Sequence, residues 1–262
     1  MLGLWGSIFL ILLGLTTLLW IASVILKNTS IIDIFWGPGF VIGAWLYAWW
    51  APGHTSRETL ALILVTVWGL RLGGYLLWRN AGKGEDFRYQ KFRKDAGQNY
   101  WWRSLFTVFW LQASMIAVIS LPFLVMSATP GQGSIGIIDG IALLLWIVGF
   151  AFEAGGDWQL ARFRSNTANR GKVMNRGFWR FTRHPNYFGD AMQWWAYGLL
   201  AIASGAHGWW AVIGPLMMTF LLMRVSGVTL LEKTLTKSKP QYEAYIKSTP
   251  AFFPRFFSKP KL

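Results

Sequence analysis

The stretch of the chain richest in chemistry is Arg183-His-Pro-Asn-Tyr-Phe-Gly-Asp190, at the opening of an apolar run. Pro185 suits the first turn of a helix, where a missing N–H costs nothing. On such a helix Asn186, Asp190 and Gln193 share one face, at i, i+4 and i+7. A polar stripe entering a bilayer must face protein or a cavity. Gly189 permits close approach of a ligand or a neighbouring helix.

Other ionisable groups also stand where apolar segments should exclude them. Glu153 and Asp157, then Arg164, follow the apolar run before them at offsets that keep all three on one helix face. They form either a site or a surface charge ladder. Arg71 joins Trp68 and Tyr75 in an i, i+3, i+7 stripe. It reads as a functional cation or as an arginine snorkelling to the membrane edge. Asp33 precedes Phe35-Trp-Gly-Pro. It is either an acid favoured at a helix start or a carboxyl with proton chemistry. Arg224 lies near the end of the last apolar segment and Glu232 follows it. In the tail, Tyr242 and Tyr245 would share a face of a short interfacial helix, as anchors or as cover for a planar ring.

The elements that carry these residues follow from composition. The chain has 262 residues, 54% hydrophobic and 14% charged, where a soluble domain carries about a quarter charged. The apolar residues fall in blocks of about 17–25 residues, the length of a bilayer-crossing helix. Seven spans are expected: Leu2–Leu26, Phe35–Trp50, Leu60–Leu77, Leu105–Met126, Ile135–Phe152, Tyr187–Ala203 and Trp209–Leu222. The first lacks the basic flank and cleavage site of a signal peptide. Cys is absent and His numbers three (His54, His184, His207), which argues against thiolate chemistry and a His-rich metal site.

Net charge is +14. The residues after spans three, five and seven carry seven, seven and eight Lys and Arg, whereas those after spans two, four and six carry Arg57 alone. By the positive-inside rule the N-terminus is outside and the C-terminus cytoplasmic. The basicity then belongs to membrane topology, and no nucleic-acid partner is expected. Three long basic segments on one side suit an anionic cofactor. They would also suit anionic lipid. The expected architecture is an all-α polytopic membrane protein forming one embedded domain. Residues 1–126 would be its substrate side and 127–262 its cofactor half.

Arg183–Asp190, taken with Asp157, Arg164 and Tyr242-Glu-Ala-Tyr245, resembles the steroid 5-alpha-reductase family. It resembles most closely that family's bacterial branch, built on a domain of unknown function. Asp33-Ile-Phe-Trp-Gly, Glu85-Asp-Phe-Arg-Tyr89 and Leu-Leu-Glu232-Lys extend the resemblance over nearly the whole chain. It implies a seven-helix membrane reductase that uses NADPH on a carbon–carbon double bond conjugated to a ketone. It implies cofactor contacts at Asp157, Arg164, Lys172, Arg183, Asn186, Tyr187, Gly189, Asp190, Arg224 and Glu232. It implies substrate-facing roles for Arg71 and Tyr75. The family's Gln-Glu pair on the second helix has no counterpart here. Asp33 is the nearest acid by spacing, and Trp68 stands where the family has a tyrosine.

The expected substrate is lipid-like (steroid, fatty-acyl or isoprenoid), and the expected location is the bacterial inner membrane. Arg-His-Pro-x-Tyr-x-Gly, with the later Glu and Tyr-x-x-Tyr, also resembles isoprenylcysteine carboxyl methyltransferases, which use S-adenosylmethionine. A non-catalytic lipid-binding membrane protein is the third reading.

Overall fold

The computed structural model describes residues 1–51, 55–129, 134–205, 208–225, 232 and 241–256. Among these residues all regular structure is helical. His54 and His207 lie outside them, as do most lysines of the tail. The chain divides into two compact units: residues 1–136 with 200–213, and residues 137–199 with 214–262.

The first unit contains α1 (Leu2–Leu26), α2 (Ile31–Trp50), α3 (Ser56–Asn80), the helical run α4 (Phe87–Ile119) and α5 (Leu121–Ser127). α1 is apolar on every side. It buries Ile8, Leu12, Thr16 and Ser23 and leaves Leu10, Leu18 and Ile25 exposed. Partly buried indoles tie it to α4 by hydrogen bonds. Trp5 Nε1 donates to the Ala117 carbonyl at 3.0 Å, Trp20 Nε1 to the Trp101 carbonyl at 2.7 Å, and Trp110 Nε1 to Thr17 Oγ1 at 3.0 Å. These three tryptophans therefore serve as inter-helix fasteners.

α2 and α3 pack backbone to backbone. A Cβ placed on Gly69 would lie 2.7 Å from the Gly37 carbonyl oxygen, so only glycines permit the approach. α3 begins with Thr55 accepting the Glu58 N–H at 3.1 Å, the start of a capping box. Ser127 on α5 donates to the Glu58 carboxylate.

The second unit contains α6 (Ile137–Ser165), α7 (Pro185–Ala203, of which residues 200–203 belong to the first unit), α8 (Ile213–Phe220, begun at the boundary) and α9 (Tyr242–Ser248). Helix underlies every expected apolar segment. Among the described residues, five helices are long and apolar enough to cross a membrane: α1, α2, α3, α4 and α6. The apolar run Trp209–Val225 is shorter. α7, which carries the polar stripe, is not among the five.

Boundaries differ from expectation at polar residues. α2 starts at Ile31 and takes Asp33 into its first turn. α3 starts at Ser56, set by the Thr55 cap. α6 continues thirteen residues past Phe152 to Ser165, carrying Glu153 and Asp157.

Candidate functional site

α6 and α7 meet through glycines. A Cβ on Gly149 would lie 2.7 Å from the Gly189 carbonyl oxygen, and one on Gly189 would strike Gly149 and Glu153. This contact sets the two polar faces against each other. Asn186 Nδ2 donates to Asp157 Oδ1 at 3.1 Å, and Gln193 Nε2 donates to Glu153 Oε2 at 2.6 Å. Glu153, Asp157, Asp190 and Gln193 are all buried. α7 begins at Pro185, and its i, i+4, i+7 face is the one turned to α6.

The pairing fixes the amide orientations. An ionised carboxylate only accepts, so each amide must aim its NH2 at the acid. The opposite atoms, Asn186 Oδ1 and Gln193 Oε1, are then left without a donor. A buried acceptor in that state is costly. The face is therefore rich in acceptors and suits a ligand that brings N–H or O–H groups.

The cations expected near this face sit differently. Arg164 lies at the end of α6, and Lys172 and Arg176 follow in the next segment, all three exposed. Arg224 is exposed in the last turn after α8. Arg183, by contrast, is only 7% exposed. It donates to both oxygens of Glu232, at 2.8 and 3.1 Å, and to the carbonyls of Ile246 and Thr249. His184 Nε2 lies 3.2 Å from the same carboxylate, and its ring stacks on Tyr187 at 5.4 Å. Burial works to raise the Glu232 carboxyl, but hydrogen bonds from His184 and Arg183 outweigh it and bring it down to about 2.

Arg183 and Glu232 thus hold the tail. Further bonds zip the tail onto residues 179–183. Tyr245 donates to the Trp179 carbonyl, Thr182 to the Ala251 carbonyl, and the Arg183 N–H to the Pro250 carbonyl. Tyr242 and Tyr245 are buried inside this packing rather than presented to a planar ligand. Burial pushes Tyr242 up to about 12.

In the first unit Asp33 accepts Arg88 Nη2 and the Tyr89 hydroxyl, each at 2.6 Å. Arg88 also binds Asp86 at 2.9 Å. Arg93 binds Glu85 through two nitrogens at 2.8 and 3.0 Å, and Glu85 accepts the Thr29 N–H at 2.8 Å. Burial works to raise both Glu85 and Asp86. Arg93 with Thr29, and Arg88, overcome it and hold each carboxyl below its ordinary value.

Trp68 is wholly enclosed, 5.7 Å from the Phe40 ring. Arg71 buries its Nε and Nη2 atoms. Tyr75 packs on Trp78 at 6.0 Å, with the Arg79 guanidinium 5.8 Å from its ring.

Sequence reasoning did not pair Arg88 and Tyr89 with Asp33, nor Arg93 with Glu85. The compact Glu85-Asp-Phe-Arg-Tyr89 motif carried the signal, with opposite charges and an aromatic in five residues.

Residues 19–249 match the family described as a protein of unknown function, DUF1295. An uncharacterized protein of Schizosaccharomyces pombe is 26% identical, with the match covering 95% of this chain and 79% of the relative. No solved structure matches the chain.

Proposed function

The chain belongs to the DUF1295 family, and from that premise we propose that it is a membrane-embedded reductase. It uses NADPH to saturate a conjugated carbon–carbon double bond in a lipid-like substrate. The single observation that carries this reading is Asn186, whose NH2 is committed to Asp157 and whose Oδ1 has no donor. A nicotinamide carboxamide brings the N–H groups such an acceptor lacks. Asp190 on the same face would accept a ribose hydroxyl, and Gly189 and Tyr187 border that contact. The exposed Arg164, Lys172 and Arg176 suit the phosphates, as charge-assisted donors.

Arg183 and Glu232, bound to each other and to the tail, serve in this reading as positioning residues. So does Asp33, held by Arg88 and Tyr89. Arg224 remains a candidate phosphate contact.

Bound NADPH would supply the hydride. The chain's own part is to orient that group, exclude water and stabilise charge on the carbonyl oxygen. On α3, Arg71 and Tyr75 remain the substrate-facing candidates. We place the protein in a bacterial inner membrane with seven spans, N-terminus outside and C-terminus cytoplasmic. The five long apolar helices and the one-sided basic segments support this.

A second reading has one observation in its favour. Glu153, Asp157 and Asp190 form an acidic face, which would also suit the cationic end of S-adenosylmethionine. Thermal stability in detergent separates the two. A ligand at one hundred times its Kd adds about 2.7 kcal/mol. NADPH is expected to raise the melting temperature and S-adenosylmethionine to leave it unchanged. The reverse result sinks the reductase, and no shift with either leaves the non-catalytic lipid binder.

A further inference from the structure

The tail residues Phe252-Phe-Pro-Arg-Phe256 are irregular in backbone and divided in exposure. Phe252 is 5% exposed, whereas Phe253 is 69% and Phe256 54% exposed. Their ring contacts fix their depth along the helices of the second unit. Phe256 lies 6.4 Å from Phe152, and Phe253 lies 6.4 Å from Phe188. Phe152 and Phe188 also touch each other, at 5.3 Å.

Phe152 ends the apolar stretch of α6. Trp158, 59% exposed, stands six residues further along that helix, with the Arg162 guanidinium 5.5 Å from its ring. An exposed tryptophan beside an arginine is the usual marker of the membrane–water boundary. At about 1.5 Å per residue, Phe152 lies ~9 Å inside that marker. The exposed rings of the tail each lie within one ring contact of Phe152 or of its neighbour Phe188.

Irregular backbone at a membrane boundary needs its polar groups met by protein or by interfacial water, and protein meets those at the two ends of this segment. The Pro250 carbonyl accepts the Arg183 N–H at 2.9 Å, the Ala251 carbonyl accepts the Thr182 hydroxyl at 3.0 Å, and the Arg255 N–H donates to the Phe181 carbonyl at 2.9 Å. Exposed Arg255 stands between the two rings in the chain, and the guanidinium of exposed Arg180 lies 5.0 Å from the Phe181 ring that Phe256 contacts. Apolar rings bordered by cations fit an anionic lipid surface.

We propose that residues 252–256 form an aromatic strap seated in the bilayer interface, with Phe253 and Phe256 among acyl chains and Arg255 at anionic phospholipid headgroups. The strap is bonded to Phe181, and the two residues just before it to Thr182 and Arg183, directly ahead of Asn186 on α7. Lipid that holds the strap therefore also braces the start of the helix bearing the candidate site. The proposal rests on the chain being a membrane protein and is independent of the cofactor.

The absence of cysteine makes the test direct. Phe253→Cys, Phe256→Cys and, as an aqueous control, Lys247→Cys each receive a nitroxide in the full chain. The labelled proteins are placed in phosphatidylcholine nanodiscs with or without phosphatidylglycerol. Positions 253 and 256 are expected to be relaxed by oxygen and shielded from a water-soluble nickel chelate, and position 247 to show the opposite. Nickel access at all three positions puts the strap in water and overturns the proposal. Shielding of 253 and 256 from both reagents buries the rings in protein and overturns it equally.

Phosphatidylglycerol is expected to deepen the shielding, and Arg255→Glu to abolish that gain. Equal shielding in both lipids refutes the headgroup contact. A diazirine-bearing acyl chain reads the same contact on the unsubstituted protein, with Phe253 and Phe256 expected to be labelled.

Discussion

The two units both set acids against polar partners, and they spend them differently. In the first unit Asp33, Asp86 and Glu85 are matched to Arg88 and Arg93. In the second, Asp157 and Glu153 are matched to the amides of Asn186 and Gln193. An arginine that binds a carboxylate settles both charges. An amide that binds a carboxylate uses its NH2 and leaves its carbonyl oxygen to find another donor. Among these acid pairs, the unmet demand therefore lies on the α6–α7 face. The first unit's cluster fastens a basic segment to the start of α2. The second unit also contains a closed cluster, Arg183 with Glu232 and His184, in which the arginine and histidine are buried and the glutamate is 20% exposed.

The largest effect should come from that buried cluster. Removing one partner of a buried ion pair typically costs about 3–5 kcal/mol, because the other charge is left uncompensated. Arg183→Ala should lower the melting temperature sharply and open the tail to protease. Arg88→Ala in the first unit, at a partly exposed pair, should cost far less. Equal losses would erase the distinction drawn between the two clusters.

The next effect concerns ligand rather than stability. A hydrogen bond involving a charged group is worth roughly 1.5–3 kcal/mol. Through Asp157 and its own amide, Asn186 should contribute on that scale, so Asn186→Ala should weaken NADPH binding about ten- to a hundredfold. Asp33→Asn should leave the affinity unchanged while lowering the melting temperature. Titration of both variants in detergent checks this. If Asn186→Ala binds as tightly as the original chain, the site assignment fails.

Much of this architecture is legible in the sequence, because apolar blocks and glycines act locally. The i, i+4, i+7 face of α7 is there to be read, and Pro185 marks the start of the helix. Local spacing cannot show which distant residue closes a charge. Asp33 and Arg88 are 55 residues apart, and Arg183 and Glu232 are 49 apart. Only the folded chain reveals that Arg183 holds the tail, although by type and position it reads as a phosphate ligand. The start of α3 was hidden for a different reason. Thr55 and Glu58 look like loop residues by hydropathy, yet they form the cap.

A third effect depends on pH. Glu232 is brought down to about 2 in the folded chain, from an ordinary value of 4.5. A depressed acid contributes stability above its ordinary value, and that contribution is lost as pH falls towards the folded one. Stability should therefore decline as pH drops from about 4.5 to about 2. Glu232→Gln should flatten part of that decline, as read from melting temperatures across the range. Glu85 and Asp86, also held low, would supply a parallel decline from the first unit, so the flattening should be partial.

The smallest effect tests the other side of the comparison. Arg93 is 39% exposed at its side chain and binds Glu85 through two nitrogens, with the Tyr100 ring 4.6 Å from the guanidinium. The geometry is good, but water screens it. Exposed ion pairs contribute about 0–1 kcal/mol. Glu85 would also keep the Thr29 N–H after Arg93 is removed. Arg93→Ala should therefore cost less than about 1 kcal/mol, and the cost should shrink as salt is raised. NADPH affinity should not move. A loss as large as that of Arg183→Ala, insensitive to salt, would mean that the first unit's cluster is as dry as the second's. Solvent access would then no longer explain why the two clusters differ.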